Sequence, residues 1–237
     1  MPFALLLFYF SAQYLRTGAV SWLLASGGMV LLNVLAKPSF LLAVIVVFPI
    51  VALIRFRASR ELLAAWGLTA LMAALLVGQY LYIYKTGSGD ELQEAAGLVS
   101  TVPSHIRIDL FHVWSHYSSS IPLSFLASFA FPLVALAVYG RRLLEYDLVR
   151  YALALLGVSL AIFILLTETG SREFDGNFGW QVIVASYVVF LVTLIRIWDL
   201  RYERPAALAA LVWAAFAAHV VAGGLFLHYY FVHHSYV

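Results

Sequence analysis

The chain has 237 residues, of which 64% are hydrophobic and only 11% charged, with a formal net charge of +2. Soluble domains run roughly 45–50% apolar and about 25% charged, so this chain has too few polar groups to cover a surface facing water. That excludes a soluble enzyme, a disordered chain, a coiled coil and a nucleic-acid binder; zero cysteine also excludes disulfides, thiolate metal sites and thiol nucleophiles.

Apolar runs divided by charge clusters predict spans over residues 2–15, 19–36, 39–54, 62–83, 121–139, 151–167, 179–195 and 205–230. Eight crossings of about 20 residues need roughly 160 apolar residues, close to what the composition supplies. The expected fold is therefore all-α. It is a polytopic integral membrane protein forming one transmembrane domain over 1–237, with one longer outer loop, 84–120, that carries an interfacial helix. The first run reaches Gln13 and Arg16 after about 14 apolar residues, below the usual minimum of ~17. Its abrupt start at Met1-Pro2-Phe3 reads as the remainder of a longer helix, with an N-terminal portion missing. Only Lys37-Pro38 divides the second run from the third. A continuous helix over 19–54 would run ~54 Å through a core of ~30 Å, so a turn is expected there, with Pro38 opening the next helix. Gly27-Gly28 and Gly223-Gly224 are expected to let helices pack closely.

Basic residues orient the spans. Alternate connections starting at Arg16 hold Arg16, Arg55, Arg57, Arg60, Arg141, Arg142, Arg150, Arg196, Arg201 and Arg204, against Lys37, Lys85, Arg107 and Arg172 in the other set. The first set belongs in the cytoplasm, which leaves both termini outside. Most carboxylates fall on the outer side, and chemistry is expected there.

Two outer connections carry the candidate groups. In the first, His105-Ile106-Arg107-Ile108-Asp109-Leu110-Phe111-His112-Val113-Trp114-Ser115-His116 mixes ionisable and aromatic residues. On a helix His112 and His116 would share a face, with Asp109 beside them and Leu110, Phe111, Val113 and Trp114 near the other side. Such a face could hold a phosphate or a divalent cation, the one cofactor the sequence suggests; an interfacial helix with solvated polar groups fits the same residues. In the second, Glu168 to Gln181 packs four charges, three glycines and aromatic residues into a short turn. Arg172 could fork onto a phosphate, Asp175 or Glu173 could act as a base, and Phe178 or Trp180 could stack on a sugar or anchor in the headgroup zone, with Asn177 among the substrate contacts. A self-satisfied turn is the plainer reading. Lys37 stands at a helix start on the same side, where an anionic headgroup is attracted or the lysine snorkels. His219 lies midway along the last span and is expected to hydrogen-bond a neighbouring helix. No P-loop, GxSxG or HExxH motif is present, and no strong internal repeat supports an inverted-repeat transporter.

The first quarter of the chain, Pro2-Phe3-Ala4-Leu5-Leu6-Leu7-Phe8-Tyr9-Phe10 with Leu35-Ala36-Lys37-Pro38-Ser39-Phe40-Leu41-Leu42, resembles multi-spanning membrane glycosyltransferases of the GT-C class. There a helix ending in a similar stretch is followed by another apolar helix. The resemblance implies inverting transfer of a sugar from a polyprenyl-phosphate donor on the outer face of a bacterial inner membrane. An acidic residue would deprotonate the acceptor hydroxyl as the lipid phosphate leaves. It implies Asp175 and Asp109 as catalytic carboxylates. Lys37, Arg107, His112, His116, Arg172, Asn177 and Trp180 would bind substrate, with Lys37 and Arg172 on the phosphate. The class usually carries its catalytic carboxylate in the first outer loop, whereas the first outer acid here is Asp90, after four spans. A missing N-terminal portion would account for that departure. The partners implied are the bilayer, the lipid-linked sugar and either that portion or a partner membrane subunit, with no nucleic acid. The alternative readings are a non-catalytic subunit for envelope polysaccharide assembly or export, and a polysaccharide polymerase or ligase.

Overall fold

The structure, a computed structural model, describes residues 1–85, 105–170 and 173–233, with the backbone alone for 83–85. Its helices are α1 (Pro2–Thr17), α2 (Val20–Ala36), α3 (Leu41–Phe56), α4 (Arg60–Lys85), α5 (His112–Tyr117), α6 (Ile121–Tyr139), α7 (Arg141–Leu144), α8 (Asp147–Leu165), α9 (Trp180–Leu200) and α10 (Ala206–His233). Among the described residues, two three-residue strands, β1 (Ile106–Ile108) and β2 (Leu166–Glu168), interrupt an otherwise all-α fold.

Among the described residues, six stretches are long and apolar enough to cross a membrane: Pro38–Phe56, Arg60–Tyr82, Ile121–Tyr139, Asp147–Leu165, Asn177–Leu200 and Ala206–His233. Large apolar side chains stand outward along them, Ile54 and Leu63 among them. In water such continuous apolar surface would drive association; in a bilayer it is the lipid-facing wall. The chain is an integral membrane protein.

Eight spans were expected, and two of the eight runs fall short. With 16 and 17 residues, α1 and α2 rise only about 24 and 26 Å against a core of ~30 Å. Much of α1 is enclosed instead: Leu7 and Tyr14 are fully buried, and the Tyr14 hydroxyl donates to the Glu61 carbonyl at the start of α4. Ser11 on α1 lies 3.1 Å from the Tyr151 hydroxyl on α8, and the Phe8 and Tyr151 rings stack beside that contact. Gly18 ends α1 at φ 71°, a left-handed cap that only glycine adopts without strain, and a Cβ there would come within 3.2 Å of Glu61 Cγ.

The expected turn at Lys37-Pro38 is present. Lys37 is extended, and Pro38 opens a single 3-10 turn that runs into α3. The glycine pairs behave otherwise than expected. A Cβ at Gly28, Gly223 or Gly224 would meet nothing within 4 Å, and at Gly27 it would make only an ordinary contact with Leu68 at 3.8 Å. No close helix approach depends on them.

Contacts divide the chain into two compact units. One comprises Met1–Ile121 with Tyr151–Val188, the other Pro122–Arg150 with Val189–Val237. The first contains α1 to α5, both strands and the α8 and α9 residues flanking the second connection. In the second, Phe131, Phe190 and Phe216 form an aromatic core. His219 packs edge-on against Phe190 at 5.0 Å, with Nε2 3.3 Å from the Ser128 carbonyl on α6.

The interfacial helix is shorter than the sequence suggested. Residues 106–108 form a strand, the helix begins only at His112, and Asp109 therefore lies off it. Ile106 and Ile108 flank Arg107 in the alternation that suits a strand. Residues 166–168 provide the partner: Ile106 pairs with Glu168, Arg107 with Thr167 and Ile108 with Leu166, antiparallel.

Candidate functional site

That strand pair joins the two connections that carry the candidate residues. The pairing continues past its ends, where the Asp109 and Phe111 N–H groups donate to the Leu165 and Ile164 carbonyls. At the opposite end the Thr169 N–H donates to the His105 carbonyl, and Thr169 Oγ1 lies 2.9 Å from His105 Nδ1. Phe111, a non-glycine residue at φ 60°, turns the chain sharply into α5.

The turn brings four ionisable side chains into a closed ring. Arg107 Nη2 donates to Asp109 Oδ2 at 2.9 Å and to Glu173 Oε1 at 3.1 Å. His112 completes the circuit, with Nδ1 3.1 Å from Asp109 Oδ2 and Nε2 2.7 Å from Glu173 Oε1. Arg107 also lies 3.4 Å from His112 Nε2, a longer contact than the 2.7 Å one to Glu173. Both carboxylate oxygens only accept, so the two imidazole contacts form together when the ring carries a hydrogen on each nitrogen. The second oxygen of each carboxylate pairs with nothing among the described residues. The four side chains are 27–40% exposed, so water screens the ring and no single pair in it dominates.

Aromatic residues back the ring. His112 and His116 both stack on Phe174, at 5.4 and 3.9 Å between centroids, and the Tyr117 hydroxyl donates to the Phe174 carbonyl at 2.5 Å. The i, i+4 spacing of the two histidines does put them on one face, and that face meets a phenylalanine. Two carboxylates flank His112, but they sit at opposite nitrogens of its ring, Asp109 at Nδ1 and Glu173 at Nε2. Among the described residues no group of three His, Cys, Asp or Glu side chains could hold a metal ion.

The other candidates divide among three places. Asn177 donates to Glu168 Oε2 at 2.7 Å, holding a carboxylate that is almost fully buried at the end of β2. The Lys37 ammonium lies 3.7 Å from the centre of the Trp180 ring, a cation–π contact that joins the start of α3 to the start of α9. Asp175 is exposed and pairs with nothing among the described residues. Arg172 lies outside the described residues.

Sequence reasoning gave Glu173 no preference over Asp175, and passed over Phe174, Glu168 and Gln181. The Gln181 side chain is fully buried, and neither atom of its amide has a hydrogen-bond partner among the described residues. Compared with known proteins, the chain matches no family model, no curated protein and no solved structure.

Proposed function

We propose that the chain is a membrane glycosyltransferase that moves a sugar from a polyprenyl-phosphate donor to an envelope glycan or lipid acceptor on the outer face of a bacterial inner membrane. The observation that supports this most is the Arg107–Asp109–His112–Glu173 ring, built from two connections that both leave membrane-length helices. A lipid-linked sugar phosphate would present its anion and its sugar at that level.

In the reaction the acceptor hydroxyl attacks the anomeric carbon. The bond from that carbon to the phosphate oxygen breaks, polyprenyl phosphate leaves with the electron pair, and a carboxylate takes the hydroxyl proton. Asp175, exposed and without a partner among the described residues, and Asp109, with one oxygen unengaged among them, fill that role. Arg107 and Lys37 hold the donor phosphate, aided by Arg172 on the same connection. His112, His116 and Asn177 position the acceptor, and the Trp180 ring offers a face to the sugar. The ring needs no divalent cation for these steps. In this reading α1 and α2 complete eight crossings in a locally thinned bilayer.

The test uses the full chain reconstituted in nanodiscs with a panel of polyprenyl-phosphate hexoses and pentoses, reading release of polyprenyl phosphate. Asp175→Asn and Asp109→Asn are each expected to lower kcat by about a hundredfold or more, and Arg107→Ala to raise KM for the donor. Absence of release with every donor, or turnover unchanged in all three variants, overturns the reading.

One observation favours a second reading. Each charge in the ring already has an opposite charge beside it, as in a clasp that fastens two loops. A non-catalytic subunit for polysaccharide assembly or export would need no more. It would co-purify with its partner, and Asp175→Asn would leave partner activity intact.

A further inference from the structure

The second unit holds a polar cavity of about 420 Å³ lined by Tyr139, Arg141, Arg142, Glu145 and Arg204. It lies where α6 and α9 end and α8 and α10 begin, at the level where these helices leave the apolar layer. Gly140, at φ 48°, turns the chain sharply after α6 and delivers Arg141 and Arg142 to its rim.

The guanidinium groups are only loosely engaged. Arg142 is 3.5 Å from Glu145 and 3.7 Å from Glu203, and Arg141 is 3.8 Å from Glu145. A direct charge-assisted bond between such groups measures about 2.7–2.9 Å. Arg204 makes no ion pair or hydrogen bond among the described residues. Tyr139 is fully buried, and its hydroxyl has no hydrogen-bond partner among them. Tyr139 is itself one of the residues that line the cavity. A buried O–H without an acceptor is costly, and three guanidinium forks facing a single lining carboxylate leave an excess of donors.

We infer that this cavity binds the phosphate group of an anionic lipid headgroup, held by Arg142 and Arg204 with the Tyr139 hydroxyl as a further donor. Tetrahedral phosphate oxygens match the forked donors, and a headgroup held where these apolar helices begin and end leaves its acyl chains to the apolar layer. The cavity is separate from the Arg107 ring and does not depend on the reading of that ring.

The experiment uses the full chain purified in a neutral maltoside detergent. Native mass spectrometry counts retained dioleoyl phosphatidylglycerol against dioleoyl phosphatidylcholine, with and without millimolar inorganic phosphate. Wild type retains phosphatidylglycerol preferentially; Arg204→Gln and Tyr139→Phe each weaken that retention by about tenfold and leave phosphatidylcholine unchanged. Displacement by inorganic phosphate supports a site that reads the phosphate alone, and resistance to displacement supports one that also needs the lipid anchor. Tyr139→Phe keeps the ring volume and removes only an unpaired hydroxyl, so it remains decisive if Arg204→Gln fails to fold. Equal retention of the two lipids, or wild-type retention in Tyr139→Phe, overturns the inference.

Discussion

His112 and Glu173 are 61 positions apart in sequence, yet His112 Nε2 and Glu173 Oε1 lie 2.7 Å apart. This contact joins the connection after α4 to the connection after α8. It works alongside the β1–β2 pairing and the stacking of both histidines on Phe174. The paired connections thereby become one surface, and both readings of the Arg107 ring depend on that pairing.

If the ring acts as a unit, its members are not independent. A double-mutant cycle with His112→Ala and Glu173→Ala, read by reversible unfolding in mixed micelles, is expected to give a coupling of about 0.5–1 kcal/mol for this partly exposed pair. Additive effects would mean that the contact carries no energy.

Glycine substitutions separate backbone need from packing. Gly18→Ala is expected to destabilise by about 1–2 kcal/mol, because φ 71° strains an L-residue and the new methyl group crowds Glu61. Gly28→Ala, in a helix with open space beside it, is expected to be neutral or to stabilise by about 0.5–1 kcal/mol. Thermal unfolding in one detergent compares the two.

Gln181 offers a contrast between stability and function. Its buried amide lacks partners among the described residues, which costs about 1–3 kcal/mol. Gln181→Met, similar in length and without the amide, is expected to raise the melting temperature. If the amide contacts donor or acceptor in the transfer reaction, the same variant also raises KM. A lower melting temperature would show that the amide is satisfied.

The helices were largely legible because apolar runs and charge clusters mark where a chain enters and leaves lipid. The run 121–139 coincides with α6, and the turn at Pro38 follows from the length of a helix that could not fit. The pairing of the connections was not legible. Strands of three residues carry little periodic signal, and a helical reading of 105–116 also placed His112 beside His116. The local clue was the Ile106-Arg107-Ile108 alternation, which acquires meaning only with a partner at 166–168. Choosing between Glu173 and Asp175 needed the direction of a turn containing Gly170 and Gly176, both at positive φ. Sequence spacing does not supply that direction.

The absence of cysteine makes the central claim, that the two connections form one surface, directly measurable. Ile108 and Leu166 are cross-strand partners. Ile108→Cys with Leu166→Cys in the full chain, oxidised in membranes and analysed by mass spectrometry after proteolysis, should give an intramolecular disulfide in high yield. Ile108→Cys with Asp175→Cys, outside the pairing, serves as the comparison and should give little. Cross-linking of the second pair as readily as the first, or none at 108–166, would contradict the account.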